Sequence, residues 1–136
     1  MTQKTAWDAE KELGLAGVDA EHQLQVRLVA VLRQAIAQGR DRSVLDEILS
    51  RIEATSSVHF MSEELLMRLH AHDQYQAHVE EHRRLLEQLA AIRAGLDTGQ
   101  PALGQAAERV EAWLEGHIRG MDRRFIEAMS APPRDG

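Results

Sequence analysis

Apolar residues recur along most of this chain at steps of three and four positions, the spacing that places side chains on one face of an α-helix. Four such stretches are separated by Gly, Pro and Asp, and none alternates for long with the period of two that is typical of strands. The pattern therefore predicts four amphipathic helices joined by short loops. Helices connected in this way favour an antiparallel up-down four-helix bundle, so the predicted fold class is all-α.

Capping and breaking residues predict where the first two helices begin and end. Asp19 can cap helix A, at about residues 20 to 38, and Gly39 then ends it. Asp41 or Ser43 can cap helix B, which continues to about residue 69. Its inward stripe is predicted to consist of Leu45, Ile48, Ile52, Thr55, His59, Glu63 and Leu66.

The third and fourth helices have signals of their own. Asp73 and Gln76 have the spacing of a capping box at the start of helix C, and Gly95 and Gly99 mark its end. Pro101 suits the first turn of helix D.

The chain is predicted to form one domain. Its 136 residues have the size of an ordinary single domain, which we place at residues 1–129. An irregular N-terminal arm contains Trp7 and the segment LGLAG, and residues 130–136 form a flexible C-terminal tail.

Composition narrows the chemistry. The chain has no cysteine, so any bound metal must be held by His, Asp, Glu or backbone oxygen. Its 22 acidic and 16 basic residues give a net charge of -6, which argues against a nucleic-acid or anionic-membrane partner. No apolar run is of signal-peptide type or long enough to span a bilayer, so we expect a soluble cytoplasmic protein.

Histidine and carboxylate residues interrupt the apolar stripes where the interior of a bundle should hold leucine. Burying such groups unpaired would cost several kcal/mol each, so something must satisfy them. The residues concerned are His22, His59, Glu63, His78, His82, His117 and Asp122. Two metal ions can use all seven side chains if both carboxylates bridge, with three histidines on one ion and two on the other. The second ion then keeps an open position for a small ligand.

Each group taken alone has a simpler interpretation. A single pair of His and Glu, or of two His, four residues apart is usually solvated, and a lone inward His such as His22 is more often a hydrogen-bonded core residue. Together on three core stripes they favour a metal site. His70, His72, Glu64, Glu80 and Glu81 are predicted to face solvent.

The ordered segments VDAEH (18–22), HFMSEELLM (59–67), HVEEH (78–82) and WLEGHIRGMD (113–122) resemble those of bacterial hemerythrins across about residues 7 to 126. The resemblance implies a four-helix bundle that binds dioxygen reversibly at a non-haem centre of two iron ions. It assigns His78, His82 and His117 to one iron and His22 and His59 to the other. Glu63, Asp122 and an oxo or hydroxo group would bridge the two ions, and Trp113 and Leu114 would line the oxygen pocket.

This resemblance implies oxygen carriage, storage or delivery without enzymatic turnover, with dioxygen as the ligand and room for an unidentified oxygen-consuming partner. The same scaffold supports two rival functions: sensing of oxygen, nitric oxide or redox state, and scavenging of peroxide or nitric oxide. A ferritin-like di-iron enzyme is disfavoured because the chain contains no Glu-x-x-His motif. A zinc hydrolase is disfavoured because His-Glu-x-x-His is absent.

Two positions depart from the usual family pattern. Glu21 stands where Gln usually precedes the first histidine, and His72-Asp73 replaces an aromatic residue followed by proline. We expect neither change to touch a ligand position, and both to bear on oxygen affinity and oxidation rate.

The segment HIRGMD raises a geometric problem, because His117 and Asp122 are five residues apart. Five steps of about 100° leave the two side chains roughly 140° apart around a regular α-helix. If both bind one centre, the helix must widen or break between residues 114 and 123, as a π-type turn does. Gly120 is expected to ease that distortion, and Gly116 to permit a close approach by a neighbouring helix or the metal site.

Overall fold

The computed structural model describes residues 16–99 and 101–130, and these residues form an all-α bundle. The helices are α1 (Ala16–Ala37), α2 (Arg42–Leu69), α3 (Tyr75–Ala94), α4 (Ala102–His117) and α5 (Arg123–Ser130), with a π-helical segment (Ile118–Asp122) joining the last two. The backbone dihedrals at both ends of that segment are helical, so α4, the π segment and α5 make up the fourth member of the bundle.

Short loops connect helices that are neighbours in space. Helix α1 packs against α2 and α4, and α3 packs against α2 and α4. Consecutive helices therefore run antiparallel, and the predicted fold class is confirmed. No helix among the described residues is long and apolar enough to cross a membrane.

Helix α1 begins earlier than predicted. Asp19 lies in its first turn and does not cap it, and Ala16 and Gly17, assigned to the irregular arm, are already helical. The rest of that arm and residues 131–136 of the tail lie outside the described residues.

The other helix ends show which capping signals operate. Asp41 caps α2 through a hydrogen bond from the Val44 backbone N–H to its Oδ1, at 3.1 Å. The capping box predicted for α3 is wrong, because that helix begins after Gln74 and has no side-chain cap. Gly39, two residues after the end of α1, adopts φ +68°, as expected of a helix-ending glycine.

The apolar core has two parts. The larger includes Val29, Leu32, Leu49, Leu89 and Val110, and the smaller consists of Met67, Phe125 and Ile126. Along α2, the buried His59 and Glu63 lie between Leu49 and Ile52 of the larger part and Met67 of the smaller part. On α2, Ser56 and Leu49 are buried, whereas the predicted Thr55 and Ile48 are only half-buried.

The predicted distortion after α4 is confirmed. The backbone N–H of Arg123 donates to the carbonyl oxygen of Ile118, five residues back, in a π-helical turn. The prediction that Gly116 permits a close approach is wrong, because an added Cβ at this position would meet nothing within 4 Å. At Gly120 an added Cβ would touch only the Arg124 side chain, at 3.6 Å, so space does not require glycine there either.

Two glycine substitutions should change stability in opposite directions. Gly39→Ala should lower the free energy of unfolding by about 1 kcal/mol, because a Cβ disfavours positive φ. Gly116→Ala should raise it by roughly 1 kcal/mol, because alanine is the better helix former and finds open space. Urea unfolding followed by circular dichroism measures both values. A loss of stability in Gly116→Ala would show that this glycine has a structural role.

Candidate metal centre

All seven polar residues predicted from the apolar stripes come together in the interior of the bundle. They are His22, His59, Glu63, His78, His82, His117 and Asp122, each at most 3 % exposed. Every member of the bundle contributes: α1, α2, α3, and α4 with its π segment.

Helical spacing explains most of this convergence. His59 and Glu63 are four residues apart on α2, as are His78 and His82 on α3, so each pair lies on one helical face. The π turn brings in Asp122, whose Oδ1 lies 3.0 Å from Nε2 of His117. The five-residue spacing of His117 and Asp122 thus equals the spacing of the backbone hydrogen bond in this π turn, which joins residues five positions apart.

One group of donors contains three histidines. Nε2 of His117 lies 3.2 Å from Nε2 of His78 and 3.1 Å from Nε2 of His82. Oε1 of Glu63 lies 2.8 Å from Nε2 of His78 and 3.0 Å from Nε2 of His82. Oδ1 of Asp122 lies 2.8 Å from Nε2 of His78.

The separations in this group fit an octahedral metal ion. Metal–ligand bonds of about 2.1 Å, ordinary for imidazole and carboxylate, give an octahedron with edges of about 3.0 Å. A set of nitrogen and oxygen donors without thiolate suits first-row metals such as iron and manganese.

The second group contains two histidines and the other oxygens of the same carboxylates. Nε2 of His22 lies 2.9 Å from Oδ2 of Asp122, and Nε2 of His59 lies 3.4 Å from Oε2 of Glu63. Glu63 and Asp122 therefore each present one oxygen to each group. The three-histidine group offers five donors and the two-histidine group four, so the second group has one donor fewer.

The donor atoms of the second group are buried without hydrogen-bond partners. Nε2 of His22, Nε2 of His59, Oε2 of Glu63 and Oδ2 of Asp122 are all in this state. His22 and Asp122 are close, but their atoms are not aligned for a hydrogen bond. Four converging unpaired donors would be costly to bury, and a shared cation satisfies all of them.

A second set of carboxylates surrounds the histidines. Glu21 of α1 accepts a hydrogen bond from Nδ1 of His59 at 3.0 Å. Glu64 of α2 accepts one from Nδ1 of His82, and Glu81 of α3 accepts one from Nδ1 of His117, both at 2.8 Å. We call Glu21, Glu64 and Glu81 the outer carboxylates. Each comes from the helix that precedes its histidine in the chain.

These hydrogen bonds determine which nitrogen of each ring can bind a metal. An ionised carboxylate only accepts, so Nδ1 carries the proton, and in the neutral ring Nε2 keeps its lone pair. When both rings are neutral, the Nε2 lone pairs of His82 and His117 lie 3.1 Å apart. A cation between them removes the repulsion, and the outer carboxylates hold the rings in the binding tautomer.

Burial and the facing carboxylates shift the pKa values of the cluster. Burial lowers the pKa of His59 and of His117, but the nearby carboxylates outweigh it and raise these values to about 9 and about 10. Burial and Asp122 raise the pKa of Glu63, but the histidines that contact it lower it to about 2. The cluster thus attracts positive charge, so a metal ion competes there with protons.

Two aromatic rings stack on the histidines. Phe60 lies parallel to the ring of His82, with centroids 3.8 Å apart, and half-buried Trp113 lies parallel to His117 at 4.7 Å. Leu114, the other predicted pocket residue, is buried in the larger apolar core.

Comparison with known proteins also indicates a cation-binding domain. The profile of the Hemerythrin HHE cation binding domain matches residues 13–129. The chain belongs to the hemerythrin family. It is 28 % identical over 128 residues to a bacteriohemerythrin of Methylococcus capsulatus, covering 93 % of this chain and 95 % of the relative. It is 23 % identical over 123 residues to a bacteriohemerythrin of Pseudomonas paraeruginosa, covering 90 % of this chain and 80 % of the relative.

Membership of the hemerythrin family implies non-haem iron binding, and the His, Glu and Asp cluster is a group of side chains that could hold a metal. Oxygen binding fits the family as well. The individual roles of the seven residues as iron ligands remain a prediction.

Three sequence-based expectations about surrounding carboxylates were wrong. Glu64 and Glu81 do not simply face solvent, and Glu21 touches a candidate ligand directly. Each of the three is adjacent in sequence to a member of the cluster, and that adjacency was the available signal. Glu80 was predicted correctly, since it lies at the surface and pairs with Arg83.

His72 also differs from expectation, whereas His70 is exposed as predicted. The His72 side chain is only 7 % exposed, and its ring packs on Phe125 with centroids 5.0 Å apart. The ring of Phe125 in turn lies edge-on to the ring of His78, with centroids 6.4 Å apart. His72 therefore supplies an aromatic surface at the position where the family usually has an aromatic residue.

Metal removal should destabilise this hemerythrin. Stripping the protein with a chelator under reducing conditions should lower Tm by several degrees, because the buried donors lose the cation that satisfies them. Returning Fe²⁺ should restore Tm. Differential scanning calorimetry of the loaded, stripped and reloaded protein measures the effect, and equal Tm values in all three states would argue against a metal centre.

Proposed function

We propose that this hemerythrin binds dioxygen reversibly, for carriage, storage or delivery, at a non-haem centre of two iron ions. The observation that carries the proposal is the pair of donor groups that share Glu63 and Asp122. Two ions bridged by these carboxylates and a solvent-derived oxygen would use every donor. The two-histidine group would retain one open position, as binding of a small ligand requires.

The ligand assignment follows the two groups. His78, His82 and His117 would hold one iron, and His22 and His59 the other. Iron held there would supply the redox chemistry of dioxygen binding, and the protein would supply geometry and control access to solvent.

The chain's own residues would orient the centre and exclude bulk water. Trp113 and Phe60 cover two histidine rings, and Leu114 is buried in the adjacent core. We propose Trp113 and Leu114 as residues of the oxygen pocket. Hemerythrins are in general oxygen-binding proteins without enzymatic turnover, and a binding function is proposed for this chain.

Reversible oxygenation tests this function. The iron-loaded protein is reduced without oxygen, exposed to air and deoxygenated through several cycles while its visible spectrum is recorded. Two irons per chain and a spectrum that returns in each cycle are expected. Irreversible change in the first cycle would instead favour a scavenger or sensor, and turnover of added peroxide would favour a scavenger.

A pair of histidine variants separates ligands from surface residues. His117→Ala removes a buried donor and should abolish the two-iron centre. His70→Ala changes an exposed histidine and should leave iron content and spectrum unchanged. Two irons retained in His117→Ala would contradict the ligand assignment.

The outer carboxylates should affect how firmly iron is held. Glu81→Gln keeps an acceptor for His117 but removes the charge that favours the binding tautomer. Iron should transfer to a chelator at least about tenfold faster than from wild type. Glu80→Gln, with the same change of charge one residue away, should behave as wild type because Glu80 pairs with Arg83 at the surface. Equal rates for the two variants would mean that net charge alone matters.

A further inference from the structure

A buried polar pair lies one helical turn from the iron site. Gln25 of α1 and Ser56 of α2 are at most 1 % exposed, and Nε2 of Gln25 donates to Oγ of Ser56 at 3.1 Å. Oε1 of Gln25 is buried with no partner. If the amide is turned over, Nε2 becomes the free group, so one polar atom stays unsatisfied in either orientation.

The register of the bundle places this pair directly beside the two-histidine group. His22 packs on His59 with ring centroids 4.6 Å apart. Gln25 follows His22 by three residues on α1, and Ser56 precedes His59 by three on α2, so in these antiparallel helices both lie toward the same end of the bundle. Three residues of α-helix span about 4.5 Å. The corresponding positions on α3 and α4 are Leu85 and Leu114, which are also buried. These four residues form one layer across the bundle, which we call the polar layer after its two polar members on α1 and α2.

The polar layer lies on the side of the two-histidine group that has no donors. Glu63 follows His59 by four residues on α2, whereas Ser56 precedes it by three. Asp122 follows His117 by five residues, whereas Leu114 precedes it by three. Both bridging carboxylates are therefore displaced toward the α2–α3 loop, and the opposite side faces Gln25 and Ser56.

We propose that Gln25 and Ser56 form a polar wall on the ligand-accepting side of the site, where they hold a water that relays protons from solvent when dioxygen oxidises the iron. This inference rests on the proposed function. A buried polar atom without a protein partner is ordinarily satisfied by water, and the amide oxygen and hydroxyl together offer such a water two partners.

The proton supply affects the net oxidation of the ferrous centre. That reaction is 2 Fe²⁺ + O₂ + 2 H⁺ → 2 Fe³⁺ + H₂O₂, in which dioxygen takes two electrons from the iron pair and two protons from its surroundings. An entirely apolar wall, with leucine also on α1 and α2, would offer no proton. The Gln25–Ser56 pair therefore shortens the lifetime of the oxygenated protein and makes it less suited to long storage.

The test replaces both polar partners at once. Gln25→Leu/Ser56→Ala leaves no unpaired hydroxyl or amide, and Gln25→Met/Ser56→Ala serves if the branched side chain does not fit. Each iron-loaded variant is reduced without oxygen and mixed with air-saturated buffer, and ferric absorbance and hydrogen peroxide are followed. With two irons per chain retained, oxidation should be at least about tenfold slower than in wild type.

Gln88→Leu is the matched control. Oε1 of Gln88 is likewise buried without a partner, but Gln88 lines the groove between α3 and α4 beside Ala91 and Ala106, away from the cluster. Its oxidation rate should equal that of wild type. The proposal is overturned if the double variant keeps its iron and oxidises at the wild-type rate, or if Gln88→Leu slows oxidation equally.

A metal-free measurement separates this inference from the proposed function. A crystal structure of the stripped wild type should show an ordered water within hydrogen-bonding distance of the Gln25 amide and the Ser56 hydroxyl, because Oε1 of Gln25 has no protein partner. The stripped double variant should lack this water, and a stripped wild type without it would overturn the polar wall. A wild type that binds no iron or never oxygenates reversibly would contradict the proposed function, while this crystallographic comparison still tests the wall.

Discussion

The structure depends on the burial of seven ionisable side chains in the middle of an otherwise apolar bundle. Isolated charges in such a place would cost more free energy than most single interactions return. The cost is offset because the donors face one another in two groups that share Glu63 and Asp122. A cation is the natural partner of such an arrangement, so the stability of the bundle and the proposed metal binding have the same physical origin.

The outer carboxylates connect this centre to the architecture of the bundle. Their hydrogen bonds run from α1 to α2, from α2 to α3 and from α3 to α4. Three of the four interfaces between neighbouring helices therefore carry a bond that ends on a cluster histidine. A small relative displacement of two helices would turn an imidazole, so helix packing determines the direction of the Nε2 lone pairs.

Much of the fold and the composition of the cluster could be predicted from the sequence, because helical periodicity places residues such as His59 and Glu63 on one face. The π turn was predictable because His117 and Asp122 could not otherwise converge. Contacts between helices were not predictable: Glu81 meets His117 only through the register of α3 against α4. The choice of Ser56 over Thr55 as the buried residue likewise depends on the rotation of α2, which periodicity determines only to within about one position.

The π turn also sets the orientation of everything that follows it. A π turn is equivalent to one residue inserted into an α-helix, so it rotates the next turns by about 100° and moves them along the axis by about 1.5 Å. Phe125 and Ile126 face the smaller apolar core only in this shifted frame. The extra residue therefore performs two tasks, since it places a carboxylate in the centre and closes the apolar end of the bundle. Shortening the segment by one residue would undo both, which links the end of the core to the position of the candidate metal ligand Asp122.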